Sequence, residues 1–311
     1  MFRARFALPA LLLSLFVLVG CAGRAPAPAA PSESAGFPVR VDVPGGQPLT
    51  LDHRPARIVS LSPASTETLF AIGADQQVVA VDDQSDYPPR APHTSLSGLT
   101  PNVEAIAAYK PDLVVASADT GNLVAGLGKL QIKTLVLPSA QTLDDAYVQM
   151  TTLGKATGQA PAADKLVAGL KHDLGALAAA TPRPSTPLTY YHELSQDYYS
   201  ANSKTFVGQV YGLFGLVNVA DSAPSSSGYP QLSAEALVKA DPKLIFLADT
   251  RCCKQDVAAV AARPGWSAIS AVKTGNVVAL DDDIASRWGP RLLDFAKAVA
   301  AAVTKAAPSG H

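Results

Sequence analysis

Two segments of this 311-residue chain follow one rule. Residues 102–116 read NVEAIAAYKPDLVVA, and residues 233–247 read SAEALVKADPKLIFL. Each opens on a residue whose side chain caps a helix, Asn102 or Ser233, and sets a Glu where the helix dipole favours an acid. Each then meets a proline, Pro111 or Pro242, which ends the helix because its neighbour is pushed toward extended backbone. An aliphatic run follows in both. A short helix feeding a short apolar strand is part of a parallel α/β layer. Its repetition constrains the chain to two lobes of similar build.

The rest of the sequence keeps that grammar. The runs Arg57–Leu61, Asp112–Ala116, Lys133–Leu137, Lys243–Leu247 and Asn276–Leu280 alternate with helical patterns, as parallel sheets require. Between the repeats, Leu166, Val167, Leu170, Leu174 and Leu177 recur at helical spacing. Pro161 sits in the first turn of that helix, and Pro182, Pro184 and Pro187 stop it. The expected fold class is α/β: two Rossmann-like lobes, 37–158 and 183–307, joined by one long backbone helix over 159–182. A ligand cleft is expected between the lobes.

The amino end is separate. Arg3 and Arg5 precede an apolar run from Phe6 to Gly20, the pattern of a secretory signal over residues 1–20. The run stops at Leu18-Val19-Gly20-Cys21, which resembles a bacterial lipobox. The resemblance implies that Cys21 is lipidated, becomes the new amino terminus and anchors the protein outside the cytoplasm. Residues 21–36, rich in Ala, Pro and Ser, read as a disordered linker. The formal net charge is −1 and basic residues form no block, so a nucleic-acid partner has no electrostatic support.

Lobe, rod helix and lobe behind a lipid tether resemble the class III substrate-binding proteins of bacterial ABC importers, which serve vitamin B12, ferric siderophores and haem. The segment Arg57-Ile-Val-Ser-Leu-Ser-Pro-Ala-Ser-Thr-Glu67 is similar to the family's first strand and turn. Ser85-Asp86-Tyr87-Pro88 and Asn102–Val115 match further motifs, and the likeness runs from Arg57 to Ala302. It implies a monomeric, non-catalytic receptor without a cofactor. Its expected partners are an ABC permease dimer, a bulky iron(III) chelate of the siderophore type, and the membrane through the lipid. Cobalamin or haem is the alternative ligand, and a role as an assembly or sensing lipoprotein is the alternative function. Glu104 and Glu235 are expected to dock onto arginines of the permease, one from each lobe. An enzyme is disfavoured because Gly-x-Ser-x-Gly, His-Glu-x-x-His and a glycine-rich phosphate loop are absent from the sequence.

Open α/β sheets bind ligands beyond the carboxyl ends of their strands. Expected ligand-binding residues are therefore Ser62, Gln84, Tyr87 and Ser117 in the first lobe. In the second they are Tyr191, Tyr198, Tyr199, Arg251, Arg287 and Trp288. Arginines suit the anionic rim of a chelate, and aromatic faces suit conjugated ligands. B12-binding members of the family place a tyrosine and a tryptophan where this chain has Gln84 and Ser117. That departure favours a hydrogen-bonding, negatively charged chelate over a corrin stack. Haem would draw on Tyr198, Tyr199 or His192 as an axial ligand. The histidines are scattered, so no dedicated metal site is expected. Trp266 is expected to pack the second lobe. Cys252 and Cys253 are adjacent, and outside the cytoplasm thiols tend to oxidise, so the first expectation is a vicinal disulfide and the alternative is a pair of buried free thiols.

Overall fold

The computed structural model describes residues 36–43 and 48–307. The expected signal segment, Cys21 and all of the linker but Gly36 lie outside the described residues. Strands β1 (Val39–Val41) and β2 (Leu49–Leu51) form an antiparallel pair ahead of the first lobe. That lobe continues through β3 (Ile58–Leu61), α1 (Pro63–Ala71), β4 (Val78–Val81), α2 (Val103–Ala107), β5 (Leu113–Ala116), α3 (Leu123–Lys129) and β6 (Lys133–Val136). Its sheet has the order β4-β3-β5-β6, with every pairing parallel. Strands covered on both faces read as unbroken apolar runs, and β3 and β5 are buried throughout.

Two helices then cross to the second lobe, α4 (Leu143–Thr157) and α5 (Ala160–Ala180). Thr142 and Asp145 cap the start of α4 reciprocally, and Gly158, at φ 71°, ends it in the left-handed conformation. The two helices pack closely because Gly154 has no side chain: a Cβ there would stand 2.3 Å from that of Ala163. The 21 residues of α5 make a rod of roughly 30 Å. Its Ala163 belongs to the first-lobe core, and its Val167, Leu170, Leu174 and Ala178 to the second. Helix α4 divides the same way. Leu153 and Ala156 face the first core, and Leu143, Ala146, Tyr147 and Met150 the second. The rod expected from periodicity is thus doubled by α4 along the junction.

The second lobe runs β7 (Thr189–Glu193), α6 (Phe206–Gly212), β8 (Val217–Asn218), α7 (Ala234–Ala240), β9 (Leu244–Leu247), α8 (Val257–Ala261), α9 (Ser270–Lys273), β10 (Val277–Ala279), α10 (Asp282–Ser286) and α11 (Leu292–Ala306). Its sheet, also all parallel, has the order β10-β9-β7-β8. The chain is therefore an α/β protein with two four-stranded parallel sheets.

The sequence repeat is also a backbone repeat. The Asn102 side chain accepts the Ala105 N–H at 2.9 Å, and the Ser233 hydroxyl accepts that of Ala236 at 3.1 Å. Lys110 and Asp241, each just before its proline, take left-handed conformations at φ 50° and 45°. Helices α2 and α7 run back along their sheets, so their amino ends sit at the carboxyl edge of the strands. That edge is where open α/β sheets bind ligands.

Candidate functional site

The carboxyl edges of the two sheets meet through charge. Glu67 projects from α1 of the first lobe, and its side chain is only 1% exposed. Two second-lobe arginines on the turn between α10 and α11 close on it. The Arg291 Nε and Nη2 atoms lie 2.9 and 2.5 Å from Glu67 Oε2 and Oε1. The Arg287 Nη1 atom lies 3.1 Å from Oε1. Gly289 makes the approach possible, since a Cβ there would stand 3.3 Å from the Glu67 carboxylate.

The loop after β4 completes the contact. Arg287 donates to Asp86 Oδ1 at 2.9 Å and to the Gln84 carbonyl at 2.9 Å. It also pairs with Asp283 of its own lobe at 2.7 Å. Arg251, in the turn after β9, pairs with Asp283 and reaches Asp86 Oδ2 at 3.4 Å. Asp281 lies 3.9 Å from Arg251. Three guanidiniums thus face four carboxylates: Glu67, Asp86, Asp281 and Asp283. Burial pushes the Asp86 carboxyl up, but the hydrogen bond and charge of Arg287 outweigh it and hold the group below its ordinary value. Asp283 is raised, because burial outweighs the attraction of Arg287.

The loop that carries Gln84, Asp86 and Tyr87 is held from beneath. Ser85 Oγ bonds the buried Asp82 carboxylate and lies 2.9 Å from Thr66 Oγ1, which donates to Ser60 Oγ at 2.8 Å. The exposed Tyr87 ring then lies under the Arg291 guanidinium, 4.3 Å from its centroid. A pocket of about 290 Å³ opens beside this pair, lined by Glu67, Tyr87, Arg90, Pro290 and Arg291. A larger one, about 500 Å³, lies at the opposite end of the second lobe around Pro184, Lys243 and Asn276. It sits at the amino ends of the strands, away from the converging charges.

The expected ligand residues fall into two groups. Gln84, Tyr87, Tyr199 and Arg251 are exposed, while Ser117, Tyr198 and Trp288 are half-buried. Trp288 donates its indole N–H to Gln149 Oε1 at 2.9 Å, tying the α10–α11 turn to α4. Three expectations are corrected. Ser62 is buried at the cap of α1, 2% exposed. Arg287 is buried and its donors are spent on Glu67, Asp86, Asp283 and Gln84. Tyr191 is fully buried in the second-lobe core, edge-on to Trp266 at 6.2 Å. The sheet is covered on both faces, so Tyr190 and Tyr191 enter opposite cores and neither meets the cleft. His192 is likewise buried, its Nδ1 2.8 Å from the Tyr211 hydroxyl, and burial pushes its pKa down to about 3. Of the two states expected for the cysteine pair, the structure holds Cys252 and Cys253 as free thiols, the first exposed and the second half-buried. Glu67, Asp86, Asp283 and Arg291 were not singled out from sequence, although Glu67 and Asp86 lie inside the motifs Arg57–Glu67 and Ser85–Pro88.

A second polar centre lies under Tyr198. Glu193 is fully buried at the end of β7, and both its oxygens bond Arg263 at 2.7 and 2.6 Å. The register Glu193↔Leu247 puts Asp249, two residues on, on the same face. Asp249 is wholly shielded from solvent, and its two oxygens lack hydrogen-bond partners. Burial first, and then the Glu193 charge, push its carboxyl up to about 7. The folded state therefore holds a proton that the unfolded chain releases near 4. Stability from this group is present in acid and is lost as pH rises from about 4 through about 7. Relative to Asp249→Asn, the parent should lose about 2–3 kcal/mol between about pH 5 and pH 8. Urea unfolding of both proteins at the two pH values checks this; equal changes in parent and variant would refute it.

Comparisons with known proteins agree with the architecture. The family described as periplasmic binding protein matches residues 58–284. A Bacillus subtilis protein named as an uncharacterized ABC transporter substrate-binding lipoprotein, YvrC, is 31% identical over 94% of this chain and 95% of its own length. A cobalamin-binding protein of Halobacterium salinarum is 31% identical over 94% of this chain and 83% of its own. Among solved structures, the periplasmic heme-binding protein HutB of Vibrio cholerae superposes with a TM-score of 0.70 at 27% identity, covering 79% of this chain and 97% of HutB.

Proposed function

Because the chain belongs to the periplasmic binding protein family, the substrate-binding components of ABC importers, we propose that it captures a bulky iron(III) chelate of the siderophore type carrying little or no negative charge. In this reading a lipid on Cys21 tethers it outside the cytoplasmic membrane, and Glu104 and Glu235 present it to the permease. Gln84, Tyr87, Ser117, Tyr199 and Trp288 are the proposed ligand contacts.

The observation that carries the charge preference is the balance at the lobe junction. Free arginines would welcome an anionic chelate. Here Arg251, Arg287 and Arg291 are already met by four carboxylates. A triply anionic chelate would have to displace those carboxylates and then lie beside them, and like charges in a partly dry cleft cost several kcal/mol. A ferric trihydroxamate, in which three singly charged ligands balance the metal, meets no such cost. Cobalamin is the second reading. The Halobacterium relative named for it supports that reading, as does the low charge of a corrinoid.

The test is a titration of the purified protein with a neutral ferric trihydroxamate, an anionic ferric tris-catecholate, cobalamin and haem, following tryptophan fluorescence and visible absorbance. The expected result is quenching by the trihydroxamate, with the tris-catecholate weaker by roughly tenfold or more. Tighter binding of the tris-catecholate would overturn the charge argument. Quenching by cobalamin alone, or a shifted haem absorbance band, would reassign the ligand. Silence across the panel would favour an assembly or sensing role.

A further inference from the structure

The turn from Thr250 to Cys253 holds two adjacent thiols beside a contact that ties one lobe to the other. A single carboxylate, Asp282, organises this turn. It accepts the backbone N–H groups of Thr250, Arg251 and Cys252 at 2.8, 3.0 and 2.8 Å, and the Thr250 hydroxyl at 2.8 Å. Burial pushes the Asp282 carboxyl up, but those donors outweigh it and hold it below its ordinary value. The Cys253 N–H returns to the Asp249 carbonyl at 3.2 Å. So held, the turn aims Arg251 at Asp86 of the other lobe. Cys252 is exposed and Cys253 half-buried, and both are free.

We propose that the Cys252–Cys253 pair is a modification site for external disulfides, and that its oxidation to a ring disulfide releases Arg251 from Asp86 and loosens the contact between the lobes. The chemistry balances with a small disulfide as oxidant. The Cys253 thiolate attacks one sulfur of that disulfide, forming a mixed disulfide and expelling one thiolate. The Cys252 sulfur, once deprotonated, attacks Cys253 and expels the second. The two cysteine protons end on the two leaving thiolates, so the chain loses two electrons and the external disulfide becomes two thiols. Loss of water around its sulfur, followed by the neighbouring Cys253 and Asp282, pushes the Cys252 thiol up to about 12. Either order of attack closes the same ring.

Geometry supplies the consequence. Neighbouring α-carbons stand about 3.8 Å apart across a trans peptide, whereas ordinary disulfides join α-carbons about 4.4–6.8 Å apart. Closing the ring must deform the turn, and the turn's order rests on three N–H groups converging on Asp282. Arg251, one residue before Cys252 and bonded to the same Asp282 carboxylate, moves with it. This inference goes beyond the proposed transport role and does not depend on which ligand is bound.

The test uses the full chain, reduced or treated with glutathione disulfide, with peptide-level mass mapping to separate Cys21 from the pair. The expected product is an intramolecular disulfide in the peptide holding Cys252 and Cys253. Amide exchange at Gln84–Tyr87 should then speed roughly three- to fivefold, the scale set by losing one partly exposed ion pair. Arg251→Ala should reproduce that increase in the reduced protein, and Cys252→Ser should stop at the mixed disulfide with exchange unchanged. A reaction that ends at the mixed disulfide in the parent overturns the proposal. So does a closed ring with unaltered exchange at Gln84–Tyr87, or an Arg251→Ala protein that exchanges there like the parent.

Discussion

Glu67→Gln should destabilise the protein by about 3–5 kcal/mol, the cost of leaving a buried partner charge uncompensated. Glu67 has almost no access to water, and it alone answers Arg291 while sharing Arg287 with Asp86 and Asp283. The amide replaces one charge with a dipole and leaves two half-dry guanidiniums facing it. Because Glu67 belongs to the first lobe and both arginines to the second, the loss falls on the junction. Urea unfolding followed by tryptophan fluorescence measures it. Arg291→Gln alone and the double variant close a thermodynamic cycle, and the pair's coupling should be about 1–3 kcal/mol. A destabilisation below about 1 kcal/mol would show that the network is solvated and weak. Asp86 adds a smaller pH dependence of the opposite sign to that of Asp249. Its carboxyl is held low in the fold, so its contribution is present at neutral pH and fades as pH falls through that lowered value.

How much of this was readable beforehand depended on sequence distance. Helix caps, the prolines and the periodicity of α5 are local signals, and the repeat at Asn102 and Ser233 exposed the two-lobe plan without any long-range knowledge. The junction was not local. Glu67 and its arginines are 220 and 224 residues apart, and nothing near Glu67 in sequence announces a partner. Read from the chain alone, Arg251 and Arg287 were unpaired cations that suited an anionic ligand. The structure supplies protein carboxylates instead, which changes the charge of the ligand they imply. Tyr191 failed for another reason. A residue near a strand's carboxyl end lines the cleft only if it lies past the last paired position, and β7 continues through Glu193. Tyr191 is still inside the doubly covered layer. Tyr198 and Tyr199, beyond it, are not.

Reversing both charges, Glu104→Lys with Glu235→Lys, should abolish delivery to the permease while leaving ligand affinity and stability nearly unchanged. Both side chains are exposed and enter no salt bridge among the described residues. Each stands in the first turn of its helix, behind the caps Asn102 and Ser233. The repeat gives them matching places on the two lobes, at the sheet edge that bears the junction. A helix dipole explains an acid in either place, at about 0.3–1 kcal/mol each when exposed, but it gives no reason for both to remain unpaired. In the proposed reading a two-fold permease would present one basic surface twice, and two pseudo-equivalent acids would fit it. The like charges that the lysines would set against that surface cost several kcal/mol at a desolvated contact. Helix stability would change by at most about 1 kcal/mol per site. Uptake in cells, ligand titration and urea unfolding of the double variant separate these effects. Lost uptake with intact binding supports docking. Binding lost in proportion to uptake would place these glutamates with the ligand instead, and unimpaired uptake would leave them as helix-start acids and nothing more.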